Sequence, residues 1–197
     1  MKLTSIPIVI IALMLSISLS AQNSFNLKDF TVTIAGTSTL HDWVSDVTKV
    51  KTTAKLNFQD GKLAEINALE VSIPVKGIIS TKGSIMDNKT YNALKSKEHP
   101  NIYFTLLSAS VTPLNSNAVK VNAQGRLTIA GVSKKVSLSA TGKQYSSSII
   151  EFKGAKTLDM THYGVAPPTA VMGTIKTGKE VTINYSIKLI SNTYTTN

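Results

Sequence analysis

The stretch Glu180-Val-Thr-Ile-Asn-Tyr-Ser-Ile-Lys-Leu-Ile190 places an apolar residue at every second position, from Val181 through Tyr185 to Leu189. Because successive side chains of a strand point to opposite faces, this spacing predicts a long strand with one apolar face and one polar face. The same period of two recurs along most of the chain. The sequence therefore indicates an all-β protein.

About eight strands of this kind can be marked, most of them joined by short turns. Their ranges are 30–40, 51–58, 69–76, 101–111, 118–129, 135–145, 149–160 and 180–190. The Asp60-Gly61 pair between the second and third strands is a typical hairpin turn. Such strands can form a two-sheet sandwich or a closed antiparallel barrel. Lengths near ten residues, against the usual five or six, favour the barrel.

One short helix is predicted between strands 3 and 4, where residues 86–96 interrupt the alternation. Asp87 is the expected N-cap, and Met86 and Tyr91 have the spacing of a hydrophobic staple. Tyr91 and Leu94 lie three residues apart and share one face of the helix. The helix is therefore expected to cover part of the barrel with an apolar side.

The first 21 residues have the pattern of a cleaved secretory signal. Basic Lys2 precedes an apolar run from Ile6 to Leu19, and small residues follow up to Ala21. The run is shorter than the ~20 residues that span a bilayer, and the chain has no Cys for a lipoprotein anchor. We expect residues 22–197 to form a single exported domain, periplasmic or secreted, without a transmembrane segment.

Charge and composition exclude several classes of function. The 197 residues include 21 Lys and Arg, 11 Asp and Glu and no Cys, with a formal net charge of +10. Without thiols, Cys-ligated metals, Cys nucleophiles and disulfides are excluded. Arg126 is the only Arg, whereas nucleic-acid recognition favours the Arg fork, so no nucleic-acid partner is expected. The positive charge still suits an anionic membrane surface or an anionic ligand.

Glycines interrupt the apolar faces of several strands, at Gly36, Gly125, Gly142 and Gly154. If these faces point inward, the glycines widen an apolar lumen at mid-strand, and a long hydrocarbon chain has room there. Glycines at such positions can equally mark bulges where barrel strands bend, and both interpretations can hold together. The residues expected to line the lumen are Phe104, Leu127, Ile129, Phe152, Leu158 and Met160.

An entrance to the lumen is expected between the helix and the Pro- and Gly-rich segment 161–178, which is predicted to be an irregular loop. Methionines at the helix start and in this segment suit a pliable entrance, because Met adapts to irregular space. The residues expected to form the mouth and its lid are Trp43, Met86, Tyr91, Leu94, Tyr163, Val165 and Met172. All of these residues can also be ordinary core, which needs no ligand.

His41, Asp42 and Trp43 form the densest cluster of functional residue types. Because strand residues alternate, Asp42 is expected to face away from His41, which favours a turn and a barrel-closing Trp over an acid–base pair. His99 is expected to contact carbonyls at the helix end, and His162 lies in the late loop. With 3 His, no metal-ligand spacing and no hydrolase or phosphate-loop motif, no catalytic residue, metal or cofactor is expected.

Four segments, spread in order over the chain, carry a family resemblance. They are Gly36-Thr-Ser-Thr-Leu-His-Asp-Trp43, the stretch 86–104, Gly125-Arg-Leu-Thr-Ile-Ala-Gly131 and the late stretch 163–167 with 173–181, between which Pro168, Ala170, Val171 and Met172 depart from the family pattern. Together they resemble the YceI family. The resemblance implies an extended, lipocalin-like, eight-stranded barrel that is exported and binds polyisoprenoid or similar amphiphilic lipids in its lumen. It implies no established enzyme activity.

The sequence therefore predicts an exported protein that holds a polyisoprenoid, an isoprenoid quinone or a similar lipid for transport, storage or sequestration. Two alternatives stay open. One is a secreted enzyme that uses His41 and Asp42, or His162, as its acid–base group. The other is a barrel that binds a non-lipid partner. A homodimer is compatible with the sequence.

Overall fold

The computed structural model describes residues 23–192, with the side chains of residues 170 and 171 excepted. The predicted signal sequence, residues 1–21, lies outside the described residues. Within residues 23–192, one α-helix, α1 (Ser84–Ala93), accompanies eleven strands. The strands are β1 (Asn23–Ser38), β2 (Trp43–Val47), β3 (Lys51–Gln59), β4 (Lys62–Pro74), β5 (Ile78–Ser80), β6 (Asn101–Pro113), β7 (Ala118–Ile129), β8 (Val132–Ser146), β9 (Ile149–Asp159), β10 (Thr169–Ala170) and β11 (Ile175–Ser191).

Eight of the strands close into an antiparallel barrel. Their order around the barrel is β1, β3, β4, β6, β7, β8, β9 and β11, and a ladder between β11 and β1 completes the ring. This ladder runs from Phe25 opposite Ser191 to Ser38 opposite Thr177. The predicted all-β barrel is confirmed, and the sandwich alternative is excluded because the sheet has no free edge within the ring.

Along its other edge, β1 changes partner. Residues 23–26 pair with β3, whereas residues 33–36 pair with β2. β2 pairs in turn with the three-residue β5. In the chain from 23 to 192, β2 and β3 share no ladder, and β5 pairs with β2 alone. β2 and β5 therefore extend the barrel wall at one end only.

The helix is predicted between strands 3 and 4, and it lies between β5 and β6. The difference arises because β2 and β5, which are not predicted, precede the helix in the chain. β2 has five residues and β5 has three, too few for the alternation to be recognised. The helix begins at Ser84, and its N-cap is Gly83, whose φ of 89° glycine tolerates, rather than Asp87. The Asp87 carboxylate instead accepts the Ser80 main-chain N–H at 2.6 Å and ties the helix to β5.

The barrel interior is packed solid at one end, which we call the closed end. Its core residues are Phe25, Ala54, Leu56, Leu63, Val119, Val121, Ile150 and Leu189. The Phe25 and Phe58 rings stack there with centroids 5.7 Å apart. Burying each large side chain of this kind stabilises the fold by about 1.5–3 kcal/mol. The opposite end, where β2, β5 and α1 lie, is called the open end.

The four in-phase glycines each adjoin an aromatic ring. A Cβ on Gly125 would overlap the ring of Phe104. The other pairs of glycine and ring are Gly36 with Trp43, Gly142 with Phe152 and Gly154 with Tyr185. Protein rings therefore occupy the space that the missing side chains leave. These contacts show that the glycines allow a ring to approach the sheet backbone closely, and the expectation that they also widen the lumen stays a prediction.

Candidate functional site

An apolar cavity of about 330 Å³ occupies the open end of the barrel. The barrel strands contribute branched side chains from several directions, among them Ile34, Ile129, Leu158, Val181 and Ile183. None of the described residues that line the cavity is Asp or Glu. Its interior is therefore suited to a hydrocarbon group and carries no negative charge.

Helix α1 forms one wall of this cavity. Its lining residues recur three and four positions apart, as the inward face of a helix requires, and are Met86, Lys89, Thr90 and Ala93. Leu94, the C-cap residue, lines the cavity next to them. The Lys89 ammonium donates a hydrogen bond of 2.6 Å to the main-chain oxygen of Thr169, across the mouth. Tyr91 points elsewhere, because its hydroxyl donates to the Lys76 carbonyl at 3.1 Å.

The loop between β1 and β2 forms a second side of the mouth. The Ser38 hydroxyl donates to the His41 carbonyl at 2.7 Å and accepts the His41 main-chain N–H at 3.2 Å, which closes a tight turn. The Trp43 indole N–H donates to the Thr37 carbonyl at 3.0 Å. These bonds fix the loop so that His41 and Trp43 both line the cavity.

A tight turn after β9 forms the third side. The Asp159 carboxylate accepts the hydroxyl of Thr161 at 2.6 Å and its main-chain N–H at 2.9 Å, and it pairs with Lys179 at 3.2 Å. The Thr161 hydrogen bonds and the Lys179 charge lower the pKa of Asp159 from 3.8 to about 2. The turn directs Tyr163 and Val165 into the cavity wall. Burial raises the pKa of Tyr163, which is 2% exposed.

The rim of the cavity carries positive charge. Lys82, in the turn between β5 and α1, and Lys89 line it directly. Lys176 follows the lining residue Ile175 on β11 and is exposed. An apolar interior with two lysines at its rim matches an amphiphile whose head is anionic or polar.

Most of the predicted lumen and mouth residues meet at this cavity. Those that line it are Trp43, Met86, Leu94, Ile129, Leu158, Met160, Tyr163 and Val165. The predicted residues that do not line it are Tyr91, Phe104, Leu127, Phe152 and Met172. Phe104 and Leu127 pair across β6 and β7 and pack in the adjoining core, and Phe152 packs against the closed end. Met172 is fully exposed in a left-handed turn, with φ of 53°.

Sequence reasoning missed the contributions of β2, β5 and the start of β11. Ser45 and Ile78 line the cavity from the two short strands, and Ile175 and Thr177 line it from a segment predicted to be an irregular loop. Ile183 lies on the apolar face that the alternation marks, so the pattern alone could have found it.

The histidines do not form an evident catalytic group. The Nδ1 atom of His41 lies 2.8 Å from the main-chain oxygen of Asp42, and both side chains are exposed. His162 is exposed and does not line the cavity. The His99 ring packs on the turn between β7 and β8 rather than on helix-end carbonyls. Within residues 23–192, no three His, Asp or Glu side chains are placed to hold a metal ion.

No helix among the described residues is long and apolar enough to cross a membrane. Several solved structures share the fold. Burkholderia cenocepacia BcnA is 19% identical, with a TM-score of 0.61 over 81% of this chain and 95% of that chain. A polyisoprenoid binding domain from Saccharophagus degradans, implicated in plant cell wall breakdown, is 8% identical, with a TM-score of 0.65 over 87% and 99%. The Campylobacter jejuni YCEI protein is 20% identical, with a TM-score of 0.53 over 98% and 100%.

No curated protein matches this sequence. The family comparison, in contrast, finds a match over nearly the whole described chain. The model of the YceI-like domain matches residues 18–189, which include the helix that lines the cavity and every strand of the barrel ring apart from the last two residues of β11. This chain therefore belongs to the family of YceI-like domains.

Proposed function

We propose that this protein is exported and binds the end of a long apolar amphiphile in the open-end cavity, for transport, storage or sequestration. The observation that carries the proposal is an apolar interior of about 330 Å³ below a lysine rim. The similarity to a domain described as polyisoprenoid binding supports an isoprenoid-type lipid, such as a polyisoprenoid or an isoprenoid quinone.

The size of the cavity limits how much of the lipid is enclosed. At about 30 Å³ for each water-sized group, a cavity of about 330 Å³ holds roughly ten methylene-sized groups. The closed end is packed by Phe25, Leu56 and Ile150 and offers no continuation of this space. We therefore expect one end of the lipid to be enclosed while the rest stays at the mouth.

The energetics of so short a buried segment require a contribution from the head group. Ten methylenes at ~0.8 kcal/mol each give about 8 kcal/mol before the costs of association, which are ~4 to 15 kcal/mol. Apolar burial alone therefore leaves little net affinity. Lys82 and Lys89, at the rim, are placed to add attraction to an anionic or polar head.

Catalysis is the less favoured alternative. His41 reaches the cavity, but its Nδ1 atom faces a main-chain oxygen rather than the Asp42 carboxylate. A general base is normally oriented by such a carboxylate. Binding of a ligand without a reaction requires no acid–base group, and the apolar side chains of the cavity wall can all contact the ligand.

Filling the cavity tests the proposal directly. Ala93 lines the cavity from α1, whereas its neighbour Asn92 is exposed and does not line it. We expect Ala93→Phe to weaken the binding of farnesyl phosphate at least tenfold, because the ring takes the place of the tail. Asn92→Phe is the matched control and should bind within about twofold of the wild type. Trp43, the only Trp, lines the cavity, so its fluorescence reports binding.

Native mass spectrometry of protein purified from its own host is the second arm of the test. We expect a co-purified lipid, and less of it in the Ala93→Phe variant. Unchanged probe binding in Ala93→Phe, together with wild-type protein that carries no lipid, would overturn the proposed function.

A further inference from the structure

Three segments surround the mouth of the cavity, namely residues 38–43, 80–90 and 168–176, and we call them the mouth segments. The Thr39 main-chain N–H donates to the Lys176 carbonyl at 3.0 Å and joins the first segment to the third. The Lys89 bond to Thr169 joins the second to the third. The three segments therefore form one continuous rim.

Each mouth segment presents one large apolar side chain to solvent. Leu40 is 66% exposed, Ile85 is 74% exposed and Met172 is fully exposed. These are the three most exposed large hydrophobic side chains in the described part of the chain. Isolated exposed apolar residues are ordinary, but three on one rim around an apolar cavity indicate an interaction surface.

The charge on the same rim favours an anionic partner. Lys82, Lys89 and Lys176 belong to the mouth segments, and Asp42 and Asp87 are the acidic residues among them. The Asp87 carboxylate accepts the Ser80 main-chain N–H, which leaves three lysines against the exposed Asp42. The formal net charge of +10 adds long-range attraction to a negative surface.

The two ends of the described chain lie away from this rim. The Asn192 main-chain N–H donates to the Ser24 carbonyl at 2.8 Å, beside Phe25 in the closed-end core. A large flat partner can therefore approach the mouth without meeting residues 23–24 or 192.

We propose that the mouth docks onto an anionic lipid bilayer, with Leu40, Ile85 and Met172 inserted among the lipids and the lysines of the rim at the phosphates. Apolar side chains flanked by Lys bind membrane interfaces in this way. The inference rests on the proposed function, because docking places the cavity opening against the membrane, where a lipid tail enters without crossing water.

Vesicle flotation tests the docking. The probe is a vesicle of phosphatidylcholine and phosphatidylglycerol at 3:1, compared with phosphatidylcholine alone. We expect the double variant Leu40→Ser/Ile85→Ser to lose at least tenfold in binding to the anionic vesicles. The matched control, Leu107→Ser/Leu114→Ser, removes exposed apolar residues of β6 and its end and should stay within about twofold of the wild type. Pure phosphatidylcholine should bind the wild type at least fivefold more weakly.

Three outcomes would overturn the docking: no binding of the wild type to anionic vesicles, equal losses in the two double variants, or a dimer in sedimentation velocity that only the mouth variant dissociates. The last would assign the rim to a second copy of the chain. The vesicles contain no farnesyl phosphate, so failure of the docking is distinguishable from failure of the proposed function. Probe uptake without vesicle binding overturns the docking alone, and vesicle binding without probe uptake overturns the proposed function alone.

Discussion

The two ends of the barrel have the same strands and different interiors. Beside Leu63 and Ile150 at the closed end, the free space is about 20 Å³, whereas the open end holds about 330 Å³. The strands themselves fill the closed end with aromatic and aliphatic side chains. At the open end the wall is completed by inserted elements, namely β2, β5, α1 and the turn after β9. The inserted elements and the ends of the barrel strands therefore form the cavity together.

The comparison predicts very different costs for truncating a side chain at the two ends. Phe25 is 0% exposed, so Phe25→Ala is expected to lower the free energy of unfolding by about 3–5 kcal/mol. Met86 lines open space, and Met86→Ala should cost less than about 1 kcal/mol. Denaturant unfolding measures both variants. Similar losses at the two ends would contradict the distinction.

A homologous series of ligands measures the depth of the open end. We expect the affinity of n-alkyl phosphates to rise by ~0.8 kcal/mol for each methylene and to level off near ten carbons. The closed-end core stops further entry of the chain. Titration followed by Trp43 fluorescence gives the affinities. A steady rise to sixteen carbons would mean that the closed end opens to admit the ligand.

The pairing of Gly125 with Phe104 can be tested between the two ends. Gly125→Ala is expected to destabilise the fold by about 1–3 kcal/mol, because the new Cβ overlaps the ring. In the double variant with Phe104→Leu, the loss should be smaller than the sum of the single losses. Additive losses in a double-mutant cycle would remove this explanation of the glycine.

The lysine rim should distinguish charged from neutral ligands. Lys82→Glu is expected to weaken binding of an anionic alkyl phosphate about threefold, because exposed charge pairs contribute ~0.2–1 kcal/mol. Binding of the corresponding neutral alcohol should not change. Lys120→Glu, which alters an exposed lysine next to Val119 of the closed-end core, is the control. A similar effect of the two substitutions would assign the attraction to net charge alone.

The smallest expected effect is the response of the open end to acid. The Thr161 hydrogen bonds and Lys179 lower the pKa of Asp159 from 3.8 to about 2. The carboxylate therefore stabilises the folded protein fully above about pH 4, and this contribution is lost as the pH falls toward 2. The difference in thermal midpoint between wild type and Asp159→Asn should shrink over that range. A difference that is independent of pH would contradict the assignment.

The alternation of the sequence was sufficient for the barrel but not for its extension. Long strands such as β11 have enough inward residues to determine which face is buried. β2 and β5 have five and three residues. β2 pairs locally with β1, and in the described chain β5 pairs only with the distant β2. The predicted cavity therefore lacked Ser45 and Ile78.

The predicted lumen residues at mid-strand show a second limit of prediction from sequence alone. Ile129, Leu158 and Met160 lie at or just beyond strand ends at the open end, where their inward phase brings them to the cavity. Phe104 lies opposite Leu127, two residues along the ladder from Gly125, so its ring fills the space at that glycine. Such a diagonal contact depends on the register between strands, which the sequence of either strand does not contain.

The change of partner along β1 affects how the barrel wall is held together. One edge of β1 is held by β11 along nearly its whole length, while the other edge has no ladder pairing between residues 27 and 32 in the described chain. This gap separates the part of β1 that pairs with β3 from the part that pairs with β2. The buried side chains of Val32, Val47, Val50 and Ile78 pack together at this gap. Side-chain packing rather than main-chain hydrogen bonding therefore joins the two parts of the wall there.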